Sequence, residues 1–129
     1  MAISVATALA RSKPTLTAPS SAKIGATIHV STKGLVPRRY AVRLFTHGEA
    51  KNDDTCVAWL AKQTRRKVTS ISVNVTIPRT LQCFSGFPAS ADGTMKTVPG
   101  TYSIIVSVPQ SINTTAASGN DVIKLIKLH

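Results

Sequence analysis

Along this chain apolar and polar residues alternate in short runs, each closed by proline, glycine or a polar cluster. In residues 26–32, Ile28 and Val30 share one face while Thr27, His29 and Ser31 share the other, because successive side chains of a strand point to opposite sides. Residues 39–46 set Tyr40, Val42 and Leu44 against Ala41, Arg43 and Phe45, which predicts a central strand with a partly apolar outer face. The clearest alternation is in residues 69–77. There Ile71, Val73, Val75 and Ile77 interleave with Ser70, Ser72, Asn74 and Thr76 until Pro78 stops the run, so one face is expected to be buried and the other wet. Residues 100–108 repeat the pattern with Tyr102, Ile104, Val106 and Val108, and end at Pro109.

Weaker segments fill the gaps. A short edge strand is predicted near residues 15–18 behind Pro14, and another extended piece at 81–84. The apolar run 56–61 suits a strand or a short helical turn. In 121–128, Val122, Leu125 and Ile126 fit a helix as well as a strand, and strand is the choice consistent with the rest of the chain. Residues 47–54 and 110–120 are polar loops, and 85–99, rich in Gly, Pro and Ser, is predicted to be a long loop. Six or seven short strands without an internal repeat predict an all-β fold, a single antiparallel β-sandwich.

At 129 residues one domain is expected, with residues 1–13 as a remnant signal segment or tail and 14–129 as the sandwich. The apolar fraction, 43%, is ordinary for a globular chain. The charge is not ordinary: 16 Lys and Arg against 5 Asp and Glu give a formal net charge of +11, a field that attracts polyanions such as nucleic acid, acidic glycans and envelope phosphates.

Residues 1–10 are small and apolar and end in Ala8-Leu9-Ala10 before Arg11, the form of the last part of a secretory signal, without the basic segment that should precede it. A truncated signal is the reading, a floppy or helical tail the alternative. No run approaches the roughly 18 apolar residues needed to span a bilayer as a helix. The two cysteines, Cys56 and Cys83, have no Cys/His ligand spacing around them, so no zinc site is expected. Bonded to each other they would imply an oxidising compartment; unbonded, they would be two buried thiols.

The stretch Val98-Pro-Gly-Thr-Tyr-Ser-Ile-Ile-Val106 resembles strand F of immunoglobulin-like domains, and the chain from Pro14 to Leu128 resembles the bacterial secreted members of that fold. The resemblance implies about seven strands and a corner role for Tyr102, whose hydroxyl would bond backbone a few residues upstream. It also implies that Ile104 stands in the place of the second cysteine of antibody domains, opposite Ile28 or Val30, as an apolar pin between sheets. The chain departs from antibody domains in lacking the inter-sheet cysteine pair and the tryptophan of the strand that holds Tyr40. A bond between Cys56 and Cys83 would instead tie a lateral segment to the end of the next strand.

No nucleophile, metal-protease or phosphate-loop motif occurs, and no catalytic residue, cofactor or metal is assigned. His47 and Glu49 lie near Asp53 and Asp54 in one loop, the single sequence-local cluster with acid–base character, and a solvated turn explains it. Asn74-Val-Thr76 and Asn113-Thr-Thr115 match the glycosylation sequon. The functional signal is basic: Arg38 and Arg39 precede one strand, and Lys62, Arg65, Arg66 and Lys67 precede another. At one end of the sandwich they would form a cationic patch for phosphate or sulfate groups. Aromatic residues make up only 5%, too sparse for a base-stacking platform.

The expectation is a non-catalytic secreted or cell-envelope module that binds a protein, glycan or anionic envelope polymer, with Trp59 and the basic connectors as its first candidate surface. The alternative is a cytoplasmic basic protein that binds nucleic acid or serves as a small capsid-type subunit.

Overall fold

The computed structural model describes residues 14–46, 55–85, 90–109 and 121–129. The expectations placed on residues 1–13, on the His47, Glu49, Asp53 and Asp54 loop and on Asn113–Thr115 lie outside them. Within the described residues the chain is all-β. Three strands, β1 (Leu16–Thr17), β3 (Thr27–Thr32) and β6 (Ile71–Thr76), form one sheet in the order β1-β3-β6. Seven form the other in the order β2-β10-β9-β4-β5-β7-β8: β2 (Ser21–Ala22), β4 (Ala41–Thr46), β5 (Thr55–Ala61), β7 (Thr80–Ser85), β8 (Ser90–Lys96), β9 (Gly100–Ser107) and β10 (Val122–Leu128).

The inner faces of both sheets share one core. The small sheet contributes Leu16, Ile28, Val30, Ile71 and Val75; the large sheet contributes Val42, Leu44, Tyr102, Ile104, Val106 and Ile126 among others. Period-two alternation delivers these residues to the core on clean strands, with Ser72, Asn74 and Thr76 exposed between them. Ile104 and Val30 are fully buried in this core, and Ile28 nearly so.

The chain enters along the small sheet, with Leu16 opposite Thr32, and crosses past Pro19 to the large one. There β2 lies parallel to the end of β10, tied by Lys127 N to Ser20 O (2.9 Å) and His129 N to Ala22 O (3.1 Å). Lys124, on the inward row of β10, donates its ammonium to the Ala18 carbonyl at this crossing.

Among the described residues ten strands replace the predicted six or seven, and three segments explain most of the difference. The first strand is divided between two sheets. Residues 56–61 form a strand, β5, which pairs with β4 and carries one extra residue, Leu60, where the register shifts between Val42 and Arg43. The predicted loop at 85–99 contains β8, an edge strand paired with β7. Its loop-like composition has a local cause: Gly93, at φ +84°, sits where the β7–β8 register shifts, a backbone conformation that side chains disfavour and glycine permits. The Gln82 amide donates to the Gly93 carbonyl at 2.7 Å and holds the bulge. Residues 122–128 form a strand throughout, in register with β9 from Val122 opposite Val106 to Leu128 opposite Gly100.

Candidate functional site

The two basic connectors run side by side. Leu35 N donates to Thr69 O at 2.9 Å, Val68 N to Arg38 O at 2.8 Å, Arg38 N to Val68 O at 3.4 Å and Thr64 N to Tyr40 O at 2.8 Å. Side chains add to this ladder: Arg39 Nε donates to Thr64 O at 3.0 Å, and Gln63 Nε2 to Arg39 O at 2.9 Å. Two residues anchor the first connector from below. Leu35 is buried in the core, and Tyr40, also buried, donates its hydroxyl to the Val36 carbonyl at 2.6 Å, fixing the turn that contains Pro37. Burial raises the Tyr40 hydroxyl above its ordinary pKa, an effect opposed by the Arg38 charge and reinforced by Asp121.

Arg38, Arg39, Lys62, Arg65, Arg66 and Lys67 are all exposed along this zipped pair, with Lys33 exposed at its near end. Among the described residues none of the six is paired with a carboxylate; Arg38 donates to Pro37 O and Arg39 to Thr64 O. Six like charges carried on paired backbones, with their heads in water, set up a local field of one sign that favours anions.

Trp59 lies on β5, on the outer face of the large sheet and three residues before Lys62, 40% exposed. It stands opposite Arg43, whose guanidinium lies 5.7 Å from the Trp59 ring and 4.9 Å from that of Phe45. Arg43 is only 1% exposed and donates to Ser107 Oγ at 2.6 Å. Burial lowers its pKa and the nearby Asp121 opposes the fall; an arginine stays protonated regardless. Phe45, Val57 and Ile105 form a second buried cluster on this outer face, with Phe84 beside it.

The Tyr102 hydroxyl donates to Val98 O at 2.7 Å and accepts from Val98 N at 3.2 Å, a bond to backbone four residues upstream. Cys56 and Cys83 are directly opposite on β5 and β7 and form a disulfide, so the bond joins neighbouring strands of one sheet.

One constellation was missed from the sequence. On the outer face of the small sheet, His29 Nδ1 lies 2.8 Å from Asn74 Oδ1, and its Nε2 lies 3.1 Å from Ser72 Oγ. Alternation had placed His29 on the face opposite Ile28 and Val30, and Ser72 and Asn74 on the wet face of their strand. What it could not show was the β3–β6 register, His29 opposite Asn74 and Ser31 opposite Ser72, that brings them together. Among the described residues no group of three His, Cys, Asp or Glu side chains could hold a metal ion.

No family model matches the chain, and no curated protein matches it in sequence. Two solved structures are similar. Macromomycin aligns over 90% of this chain and 99% of its own, with 19% identity and a TM-score of 0.56. The superoxide reductase (neelaredoxin) from Ignicoccus hospitalis aligns over 92% and 81%, with 10% identity and a TM-score of 0.41. The first likeness concerns the fold alone, and the second is too distant to carry an argument.

Proposed function

We propose that the protein is an immunoglobulin-like β-sandwich binding module of the secreted or cell-envelope kind, holding an anionic polymer on the cations of its two zipped connectors. The observation that supports this reading is the connector ladder, which pairs the two segments that bear the exposed Arg38, Arg39, Lys62, Arg65, Arg66 and Lys67. The immunoglobulin-like assignment is supported by the Tyr102 corner bond and by an opening segment that passes from one sheet to the other. The disulfide favours an oxidising compartment, where such bonds persist. No described helix is long and apolar enough to cross a membrane.

The test is retention of the full chain on an immobilised sulfated polysaccharide at rising salt. Affinity should fall linearly on logarithmic axes, and Arg65→Glu with Arg66→Glu should make that slope shallower by about two, one per phosphate-type contact removed. An unchanged slope in the double variant overturns the site. Tighter binding to single-stranded DNA than to the polysaccharide overturns the envelope assignment in favour of a nucleic-acid partner.

A further inference from the structure

The outer face of the small sheet holds a hydrogen-bonded chain of three side chains that polyanion binding does not use. Asn74 Oδ1 can only accept, so the 2.8 Å contact requires His29 Nδ1 to carry the proton. In the neutral ring this tautomer leaves a lone pair on Nε2, 3.1 Å from the Ser72 hydroxyl and placed to accept its proton. A hydroxyl, an imidazole and an oriented amide in this order form the arrangement by which a weak oxygen nucleophile is activated: the base takes the proton, and the third group fixes the ring.

All three residues are exposed, so the hydroxyl is open to an incoming electrophile. Space for one lies alongside. An open groove of about 450 Å³ is lined by Thr15, Thr17, Ser31 and Lys33 among others. Ser31 is the direct cross-strand partner of Ser72, which places the groove wall next to the nucleophile. Lys33 adds a cation to that wall.

We propose that Ser72 is an acylatable nucleophile with His29 as its general base and Asn74 as a positioning residue, accepting the acyl group of a carboxylic ester seated in this groove. Ser72 Oγ attacks the carbonyl carbon as its proton passes to His29 Nε2. The bond from that carbon to the alcohol oxygen breaks, and the imidazolium returns the proton to the departing alkoxide. The products are acyl-Ser72 and a free alcohol. Water then attacks the acyl carbon as its proton passes to His29 Nε2; the bond from that carbon to Ser72 Oγ breaks, the imidazolium returns the proton to Oγ, and the carboxylic acid leaves.

The test uses the full chain and a fluorophosphonate probe, which reports activated serines: Oγ displaces fluoride from phosphorus, and the proton goes through His29 to solvent. Peptide mass spectrometry locates and times the labelling. Ser70, exposed nearby without an imidazole contact, is the internal reference. Ser72 should label roughly 100-fold faster than Ser70, the lower range of general-base assistance. His29→Ala should reduce Ser72 to the Ser70 rate, and Ser72→Ala should remove the fast labelling and leave only the slow Ser70 label. Asn74→Asp, which keeps an acceptor for Nδ1, should retain the rate that Asn74→Leu loses, with both variants melting at the parent temperature. Labelling of Ser72 no faster than Ser70, or undiminished in His29→Ala, overturns the proposal.

Discussion

The two sheets turn very different outer faces to their surroundings. Outside the small sheet stand Thr27, His29, Ser72, Asn74 and Thr76, all exposed, bonded to one another across strands; Thr27 and Thr76 meet hydroxyl to hydroxyl at 3.2 Å. Outside the centre of the large sheet stand Arg43, Phe45, Val57 and Ile105, all buried. The small sheet is thus amphipathic in the usual antiparallel manner, whereas β4 and β9 are enclosed on both sides. Period two identifies which residues share a side. It does not say whether that side is wet.

This contrast makes Arg43 the most sensitive position on the outer faces. Its charge is out of water, bonded to Ser107 and stacked on two rings, so its removal leaves a void and strands the groups that had adjusted to it. Arg43→Ala is expected to destabilise the fold by about 3 kcal/mol in urea unfolding. A loss below about 1 kcal/mol would mean that this face is as permissive as the one outside the small sheet.

The tyrosines sharpen the comparison within the large sheet itself. Tyr40 and Tyr102 are both buried, and each bonds the carbonyl four residues upstream, but only the Tyr102 hydroxyl also receives a backbone N–H. Tyr102→Phe should therefore cost about 2 kcal/mol and Tyr40→Phe about 1 kcal/mol, measured by the same unfolding. Tyr40 carries a pH signature as well. Burial favours its neutral form, so its folded value exceeds the unfolded value near 10.0, and the stability it supplies is complete below that pH and lost as pH rises through the folded value. In Tyr40→Phe the alkaline fall in stability should be smaller than in the parent.

Legibility in the sequence followed the same division. On β3 and β6 alternation alone placed Ile28, Val30, Ile71 and Val75 inside, since a half-buried strand records its environment residue by residue. The role of Tyr102 was visible through its Val98-Pro-Gly-Thr context, yet Tyr40, making the same bond, lacked the flanking pattern and was read only as an inward residue. At β8 the chain pairs through its backbone across a glycine bulge, which in composition resembles a loop. The basic residues of the candidate site were all legible, but their meeting was conditional on two connectors lying together. That depends on the Arg38–Val68 and Leu35–Thr69 backbone bonds, and long-range pairing of this kind leaves no periodic trace. The Ser72–His29–Asn74 chain was hidden for the same reason, because register is a relation between strands.

The smallest expected effects belong to the wet face. His29 hydrogen-bonds on both ring nitrogens, and a side chain so engaged would count as structural if its bonds replaced nothing. Here they replace bonds to water, because His29, Ser72 and Asn74 are all exposed, so each variant exchanges a protein partner for a solvent one. The β3–β6 ladder beneath them is maintained by the backbone and by Ile28, Val30 and Val75 on the opposite side. His29→Ala and Thr27→Ala should each change stability by no more than about 0.5 kcal/mol in thermal or urea unfolding. A cost above about 1 kcal/mol in His29→Ala would show that the triad holds the two strands together. The difference between the two outer faces would then be one of polarity and not of structural tolerance.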